Sequence, residues 1–198
     1  MMAFGMTDIA DKVQDFLVYL KYEKQYSSAT LKNYSLDLIK FITYLKVINI
    51  KMVSQITSDH IQNYINKLNR SGLIATSLAR KTSSIRSFFN YMIRKKMIKI
   101  NPSKKIIVPK KLQKLPYTLS IEQVDLLCSM PSSSFASIRD KAMIELMYSS
   151  GLRLSEITSL NADSVSPKDR MLSVIGKGGK QRYLPMGMKA IQALNKWT

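Results

Sequence analysis

Hydrophobic residues recur at the three-to-four spacing of an α-helix through the first hundred residues of the chain. In the first such stretch, Ile9, Val13, Phe16 and Leu20 fall on one side. Thr7 precedes this stretch as a candidate cap, and Thr57 or Ser58 precedes the third, which Gly72 ends. The pattern predicts four helices, over about residues 8–23, 29–45, 59–69 and 76–96.

The fourth predicted helix is apolar on one side and basic on the other. Leu78, Ile85 and Phe88 are expected to point inward. The outward side is predicted to carry Arg80, Lys81, Arg86, Arg94, Lys95 and Lys96. A helix of this kind can pack on a core and also lie along a phosphate backbone.

The helical pattern stops at residues 101–117, where three prolines interrupt a lysine-rich segment. This composition predicts an extended basic linker. The chain would then consist of a helical domain over residues 1–100, the linker, and a second domain over residues 118–198. Lys110 and Lys111 lie in this linker.

The second domain has a mixed pattern. Ser120 and Gln123 form a capping box that opens its first helix, which runs through about Ser129. Gly151 is expected to end the next helix in a left-handed conformation. Two short strands flank a glycine-rich turn, which predicts a β-hairpin. Expected elements are helices over about 138–149, 154–160 and 188–197, strands over 171–175 and 182–184, and the turn over 176–179.

The chain has 31 Lys and Arg residues against 13 Asp and Glu residues, a formal net charge of +18. Residues 51–114 hold 15 of the bases and one acid, Asp59. Such a concentrated positive field attracts a polyanion, most often DNA or RNA. A solvated basic surface without a ligand, or an anionic membrane surface, are the alternatives that charge alone leaves open.

Composition excludes several other classes. A hydrophobic content of 45% is enough for a packed core and argues against wholesale disorder. The sequence contains no uncharged apolar run long enough to predict a membrane-spanning helix, and no secretory signal is visible. The single cysteine, Cys128, allows no internal disulfide and suits the reducing cytoplasm. With one histidine, His60, we expect neither a metal site nor histidine-based catalysis.

Two short motifs carry the candidate chemistry. Residues 151–157 read Gly-Leu-Arg-Leu-Ser-Glu-Ile, and residues 176–180 read Gly-Lys-Gly-Gly-Lys. The second motif is not a phosphate-binding loop of the Walker type, because neither Ser nor Thr follows Lys180. Taken singly, the motifs also fit a structural Arg–Glu pair and a surface hairpin with solvated lysines.

Read together, several segments resemble the tyrosine recombinases of the phage integrase type, and among them the bacterial Xer recombinases. The matching segments are residues 28–38, 79–81, 85–89, 101–102, 115–116, 139–143, 148–156 and 174–185. The resemblance implies a mainly α fold, in which a four-helix SAM-like core-binding domain precedes the first part of an α+β catalytic domain with a β-hairpin.

The resemblance also implies a reaction. In this family a tyrosine hydroxyl attacks a DNA phosphodiester, and a partner strand later reverses the step without a nucleotide cofactor. Arg153 matches the first catalytic arginine, and Lys177 matches the hairpin lysine that acts as general acid. Glu156 is a weaker candidate that would orient Arg153. The further DNA contacts that we expect are made by Arg80, Lys81, Arg86, Lys180 and Arg182, together with Lys110 and Lys111 of the linker. We expect no cofactor.

The sequence also departs from the family. The His-x-x-Arg motif, a later His or Trp, the nucleophilic tyrosine and the helix that docks into a neighbouring subunit have no counterpart among these residues. We therefore expect a C-terminally truncated recombinase that binds duplex DNA, with a full-length recombinase as a possible partner, but does not cut it unaided. A premature stop, a degraded gene or an expressed fragment would each explain this.

Two alternatives remain open. One is a stand-alone DNA-binding or regulatory module that competes with a full-length recombinase for its sites. The other is a helical protein with a basic surface and no nucleic-acid ligand. The target site remains open, as does the choice between chromosome-dimer resolution and mobile-element integration.

Overall fold

The computed structural model describes residues 9–109, 117–129, 131, 133–176 and 179–197. The chain divides into two compact units, Met1–Lys114 and Leu115–Thr198. No helix among the described residues is both long enough and apolar enough to cross a membrane.

The first unit is a bundle of four α-helices, as the hydrophobic spacing predicts. Their bounds are α1 Ile9–Tyr22, α2 Ser28–Val47, α3 Ser58–Arg70 and α4 Ala75–Arg94, with a short 3₁₀ turn at Val53–Gln55. The core contains four phenylalanines, Phe16, Phe41, Phe88 and Phe89, each almost fully buried. Aromatic rings meet across the bundle, for example Phe16 and Phe88 at 5.7 Å between centroids.

Reciprocal hydrogen bonds cap the start of α3. The Thr57 hydroxyl accepts from the backbone N–H of His60 at 3.3 Å, and His60 Nδ1 accepts from the backbone N–H of Thr57 at 3.2 Å. Of the two candidate caps in the sequence, Thr57 is the one used. The single histidine of the chain thus satisfies a backbone donor that a helix N-terminus leaves unpaired.

Residues 101–108, which we call the strap, pack on the first unit instead of starting an extended linker. Asn101, Ser103 and Ile106 are buried. The Asn101 side chain donates to Asn90 Oδ1 at 2.7 Å and to the Arg86 carbonyl at 3.3 Å, and it accepts from the backbone N–H of Ser103. The sequence pattern failed here because a single asparagine supplies bonds that composition does not reveal.

A side-chain amide holds the other end of the strap. Gln62 on α3 donates to the carbonyl of Ile107 at 3.1 Å and accepts from its N–H at 3.0 Å. Ser58 donates to the Pro102 carbonyl at 2.8 Å. The strap therefore lies across α3 and α4. Any extended linker begins beyond residue 108, and the part of it over residues 110–116, with Lys110 and Lys111, lies outside the described residues.

The second unit combines four helices with a small antiparallel sheet. The helices are α5 Ile121–Cys128, α6 Phe135–Ser150, α7 Leu154–Thr158 and α8 Met188–Trp197. The strands are β1 Val165–Ser166, β2 Met171–Ile175 and β3 Gln181–Pro185, in the order β1-β2-β3. The predicted hairpin is confirmed as β2 and β3, whereas the two-residue β1 was missed because so short a strand has no readable alternation.

A left-handed glycine joins α6 to α7. Gly151 has φ 61° and ψ 38°, a conformation that side chains disfavour. Its N–H donates to the carbonyl of Met147 and closes the end of α6. The chain then turns so that Arg153 becomes the N-cap residue of α7.

Asn101→Ala is expected to lower the free energy of unfolding of the first unit by about 1–3 kcal/mol, because it leaves buried polar groups of the strap unpaired. Urea unfolding followed by far-UV circular dichroism measures this. Trp197, the only tryptophan of the chain, reports the second unit and should show an unchanged transition.

Asn69→Ala, the same substitution at an exposed position of α3, provides the control. It should change the unfolding free energy by less than about 0.5 kcal/mol. Equal destabilisation by the two substitutions would contradict the anchoring role of Asn101.

Candidate functional site

The exposed face of α4 is a continuous polar stripe without any acid. Its members follow helical spacing from one end to the other: Thr76, Arg80, Ser83, the half-buried Ser87, Asn90 and Arg94. From Thr76 to Arg94 the stripe extends about 27 Å. Hydroxyl, amide and guanidinium groups are the side chains that pair with phosphates and base edges. The sequence analysis considered only the bases on this face and missed its Ser, Thr and Asn residues, although their spacing was readable.

Lys81 does not belong to this exposed face, and its predicted outward orientation is wrong. It is 6% exposed, and its Nζ lies 2.7 Å from Oδ1 of Asp37, which is 1% exposed. Consecutive residues on a helix are turned about 100° apart. That rotation directs Lys81 toward α2, whereas Arg80 remains at the surface.

Arg80 pairs with the other oxygen of the same carboxylate. Its Nη1 donates to Oδ2 of Asp37, and its side chain remains 41% exposed. Arg86 is only half-buried, but its Nε is enclosed and makes no hydrogen bond within the described structure. Of the three predicted DNA contacts on α4, Arg80 is therefore the most accessible.

Further exposed cations follow α4 along the chain. They are Lys95, Lys96 and Lys99 after the helix and Lys104 and Lys105 on the strap. Since the strap is bonded to α3 and α4, its two lysines occupy defined positions. Together with the stripe of α4, these residues make up what we call the basic surface of the first unit.

In the second unit, one buried glutamate binds two arginines. Glu156 is 4% exposed. Its Oε1 accepts from Arg153 Nη1 at 2.9 Å and from Arg182 Nη1 at 2.8 Å. Its Oε2 accepts from Arg182 Nη2 and from the backbone N–H of Arg153, both at 2.9 Å. The structure thus adds Arg182, which was expected from the sequence to contact DNA, to the pair of Arg153 and Glu156.

Local structure explains how the three side chains meet. Glu156 occupies the third position of α7, from which a carboxylate can reach back to the N-cap N–H of Arg153. Arg182 lies opposite Val174 in the β-ladder, on the partly buried side of β3. Gly176 leaves room for it, because a Cβ there would lie 3.0 Å from Arg182 Nη1.

The charges of this cluster are mutually stabilised. The pKa of Glu156 is lowered to about 2. The hydrogen bond from Arg182 is the largest cause, and the hydrogen bond from the backbone N–H of Arg153 is the next. The same contact with Glu156 raises the pKa of Arg182. Glu156 is therefore ionised at neutral pH. Because the two guanidinium groups are permanently charged, the cluster carries a net charge of +1.

The accessible part of that charge lies on Arg153, whose side chain is 68% exposed. Both terminal nitrogens of Arg182 bind Glu156, which leaves fewer of its N–H groups for the DNA contact that the sequence predicts. Lys180 is exposed beside the turn, and Lys177 lies outside the described residues. Within the described ranges, no group of three or more His, Cys, Asp or Glu residues could hold a metal ion.

Arg182→Met is expected to raise the pKa of Glu156 from about 2 toward its ordinary value of 4.5. A carboxyl whose folded pKa is depressed adds stability above its unfolded pKa and loses it as the pH falls through the folded pKa. The variant should therefore lose this contribution at a higher pH than the parent. NMR titration of the Glu156 carboxyl carbon measures the shift.

Arg139→Met is the matched control, since Arg139 is an exposed arginine of the same unit that pairs with its neighbour Asp140. It should leave the titration of Glu156 unchanged. Parent-like titration of Glu156 in the Arg182 variant would show that the two-nitrogen contact is not formed in solution.

The family model "Phage integrase, N-terminal SAM-like domain" matches residues 13–96, and that of the "Phage integrase family" matches residues 118–198. The tyrosine recombinase XerC of Histophilus somni (strain 2336) is 40% identical over 185 residues, which cover 93% of this chain and 63% of that protein. The tyrosine recombinase XerC of Proteus mirabilis is 35% identical over 185 residues, covering 93% and 60%.

Solved structures show the same fold. The Tn1549 transposon integrase in complex with transposon right end DNA superimposes with a TM-score of 0.71 at 15% identity, covering 93% of this chain and 64% of that one. This chain spans less than two thirds of the length of the two curated relatives. Two family models that match consecutive parts of the sequence, and relatives that align along most of it, agree with the fold. The chain belongs to the phage integrase family of tyrosine recombinases.

Proposed function

We propose that this chain binds duplex DNA through the basic surface of its first unit and takes part in site-specific recombination. The observation that carries the proposal is the acid-free polar stripe of α4, with Arg80 and Arg94 exposed on it. An α-helix, about 10–12 Å across, fits the major groove of DNA, which is about 12 Å wide, and a face of this kind offers donors to phosphates and base edges. The four buried phenylalanines of the core keep the helix in place.

Electrostatics supports the same assignment. Cations on the strap and after α4 extend the positive surface beyond the helix itself. Each phosphate neutralised by Lys or Arg releases condensed counterions, which favours binding at low salt. A likeness in fold to the Tn1549 transposon integrase, whose structure contains transposon DNA, supports duplex DNA over RNA as the polyanion.

We further propose that Arg153 binds the nonbridging oxygens of the phosphate at which strands are exchanged. Its guanidinium is exposed and permanently charged, and its terminal nitrogen Nη1 is held by Glu156. The transition state of phosphoryl transfer concentrates negative charge on those oxygens, so a fixed cation there stabilises it. A planar guanidinium can bond two oxygens through two parallel N–H groups held in a fixed geometry, which an ammonium does less well.

The hairpin supplies the remaining proposed contacts. Lys177, which lies between β2 and β3 in the sequence, is proposed to protonate the leaving 5′-oxygen, as its match to the hairpin lysine of the family suggests. Lys180 is proposed to contact the DNA backbone beside it, since its side chain is exposed. Arg182 is proposed to hold Glu156 in place and not to touch DNA.

DNA affinity should fall steeply between about 50 and 200 mM salt, because binding releases counterions. Arg80→Ala/Arg86→Ala is expected to weaken binding by about tenfold or more at fixed salt. Fluorescence anisotropy with a labelled duplex measures both effects, and circular dichroism checks that the variant is folded.

Lys21→Ala/Lys46→Ala removes the same charge from exposed positions on α1 and α2, and it should weaken binding much less. If the two double variants lose affinity equally, the positive charge acts without a defined face. Binding that ignores salt would contradict the electrostatic basis altogether.

These 198 residues by themselves are expected to form no covalent adduct with a nicked duplex. The family reaction needs a His-x-x-Arg motif and a tyrosine nucleophile, and the one histidine present, His60, caps α3. Denaturing electrophoresis of the mixture tests this, with the Histophilus somni XerC protein as positive control. A denaturant-resistant adduct from this polypeptide would refute the expectation.

A further inference from the structure

Asp37 on α2 is the only described acid of the first unit that is buried, and it accepts from two basic side chains of α4. Lys81 Nζ donates to Oδ1 at 2.7 Å and Arg80 Nη1 donates to Oδ2. The Ser84 hydroxyl lies 3.5 Å from Oδ2, but it also donates to the Lys81 carbonyl at the shorter distance of 2.9 Å. Lys81 and Ser84 are themselves buried. Asp37 and Lys81 thus form an enclosed ion pair, and Arg80 reaches the same carboxylate from the surface.

Neutralisation of Asp37 does not require Arg80. Lys81 already supplies one full positive charge at short range. The three ionised groups together carry +1, and the buried pair cancels within the protein. The surplus charge therefore lies on Arg80, whose side chain is 41% exposed.

We infer that Asp37 is a positioning residue for DNA binding: it fixes the guanidinium of Arg80 on the stripe of α4, while Lys81 cancels the negative charge of Asp37 so that Arg80 keeps its own charge for a phosphate. This inference rests on the proposed function, in which α4 faces DNA. It assigns to Asp37 and Lys81 roles that differ from direct contact.

The physical advantage lies in conformational entropy. A free arginine side chain loses much rotamer freedom when a ligand immobilises it, and less is lost when its fork is already oriented. One terminal nitrogen of Arg80 is held by Asp37. The planar guanidinium has further N–H donors, and these can reach a phosphate oxygen while that bond persists.

The test is a mutant cycle read as duplex affinity. Arg80→Ala should weaken binding of a fluorescein-labelled duplex of mixed sequence by about tenfold. Asp37→Asn/Lys81→Met removes the buried pair without leaving an unpaired charge, and it should weaken binding by a similar factor. The triple variant should bind no more weakly than Arg80→Ala alone, because Asp37 acts through Arg80.

Additive losses in the triple variant, or parent-like binding by Asp37→Asn/Lys81→Met, would overturn the inference. Asp59→Asn, which deletes an exposed acid of the same unit, is the charge control and should leave affinity the same or slightly higher. Absence of DNA binding by the parent chain would instead refute the proposed function.

If the variants with buried substitutions do not fold, a second variant still tests the inference. Arg80→Lys is a surface change that preserves charge, and circular dichroism should show the parent fold. An ammonium group lacks the planar fork that bonds Asp37 and a phosphate together, so affinity should fall several-fold. Affinity equal to that of the parent would show that charge alone matters at this position and would overturn the positioning role.

Discussion

Each unit of this chain contains a buried carboxylate that accepts hydrogen bonds from two basic side chains. Asp37 holds Lys81 and Arg80, and Glu156 holds Arg153 and Arg182. A buried carboxylate is costly unless it is paired and hydrogen-bonded, so both anions depend on their partners. Because two cations meet one anion, each cluster retains a net charge of +1. The more exposed base of each cluster, an arginine in both cases, carries this charge at the surface.

In both clusters the two basic side chains have different roles. In each, one cation is the more buried and ties separate elements together: Lys81 joins α4 to α2, and Arg182 joins β3 to α7. The other, Arg80 or Arg153, stays available to an anion. These two guanidinium groups are thereby oriented in advance. Oriented side chains lose less conformational entropy when they bind an anion than flexible ones do.

Much of this architecture could be predicted from local sequence. Helical spacing located all four helices of the first unit, and the capping box at Ser120 and the left-handed Gly151 were both confirmed. The motif at residues 151–157 located Arg153 and Glu156, since an arginine and a glutamate three apart in a helical turn can meet. These features depend on neighbours within one or two helical turns, and so their signals survive in a single sequence.

Contacts between distant segments were decided only by the tertiary structure. The sequence by itself determined which positions are apolar, which are basic and where helices begin. It could not reveal that Lys81 turns inward to Asp37, that Asn101 ties the strap to α4, or that Arg182 binds Glu156 across 26 residues of sequence. Each depends on which donor and acceptor become neighbours after the hydrophobic faces have packed, and burial then makes their pairing obligatory.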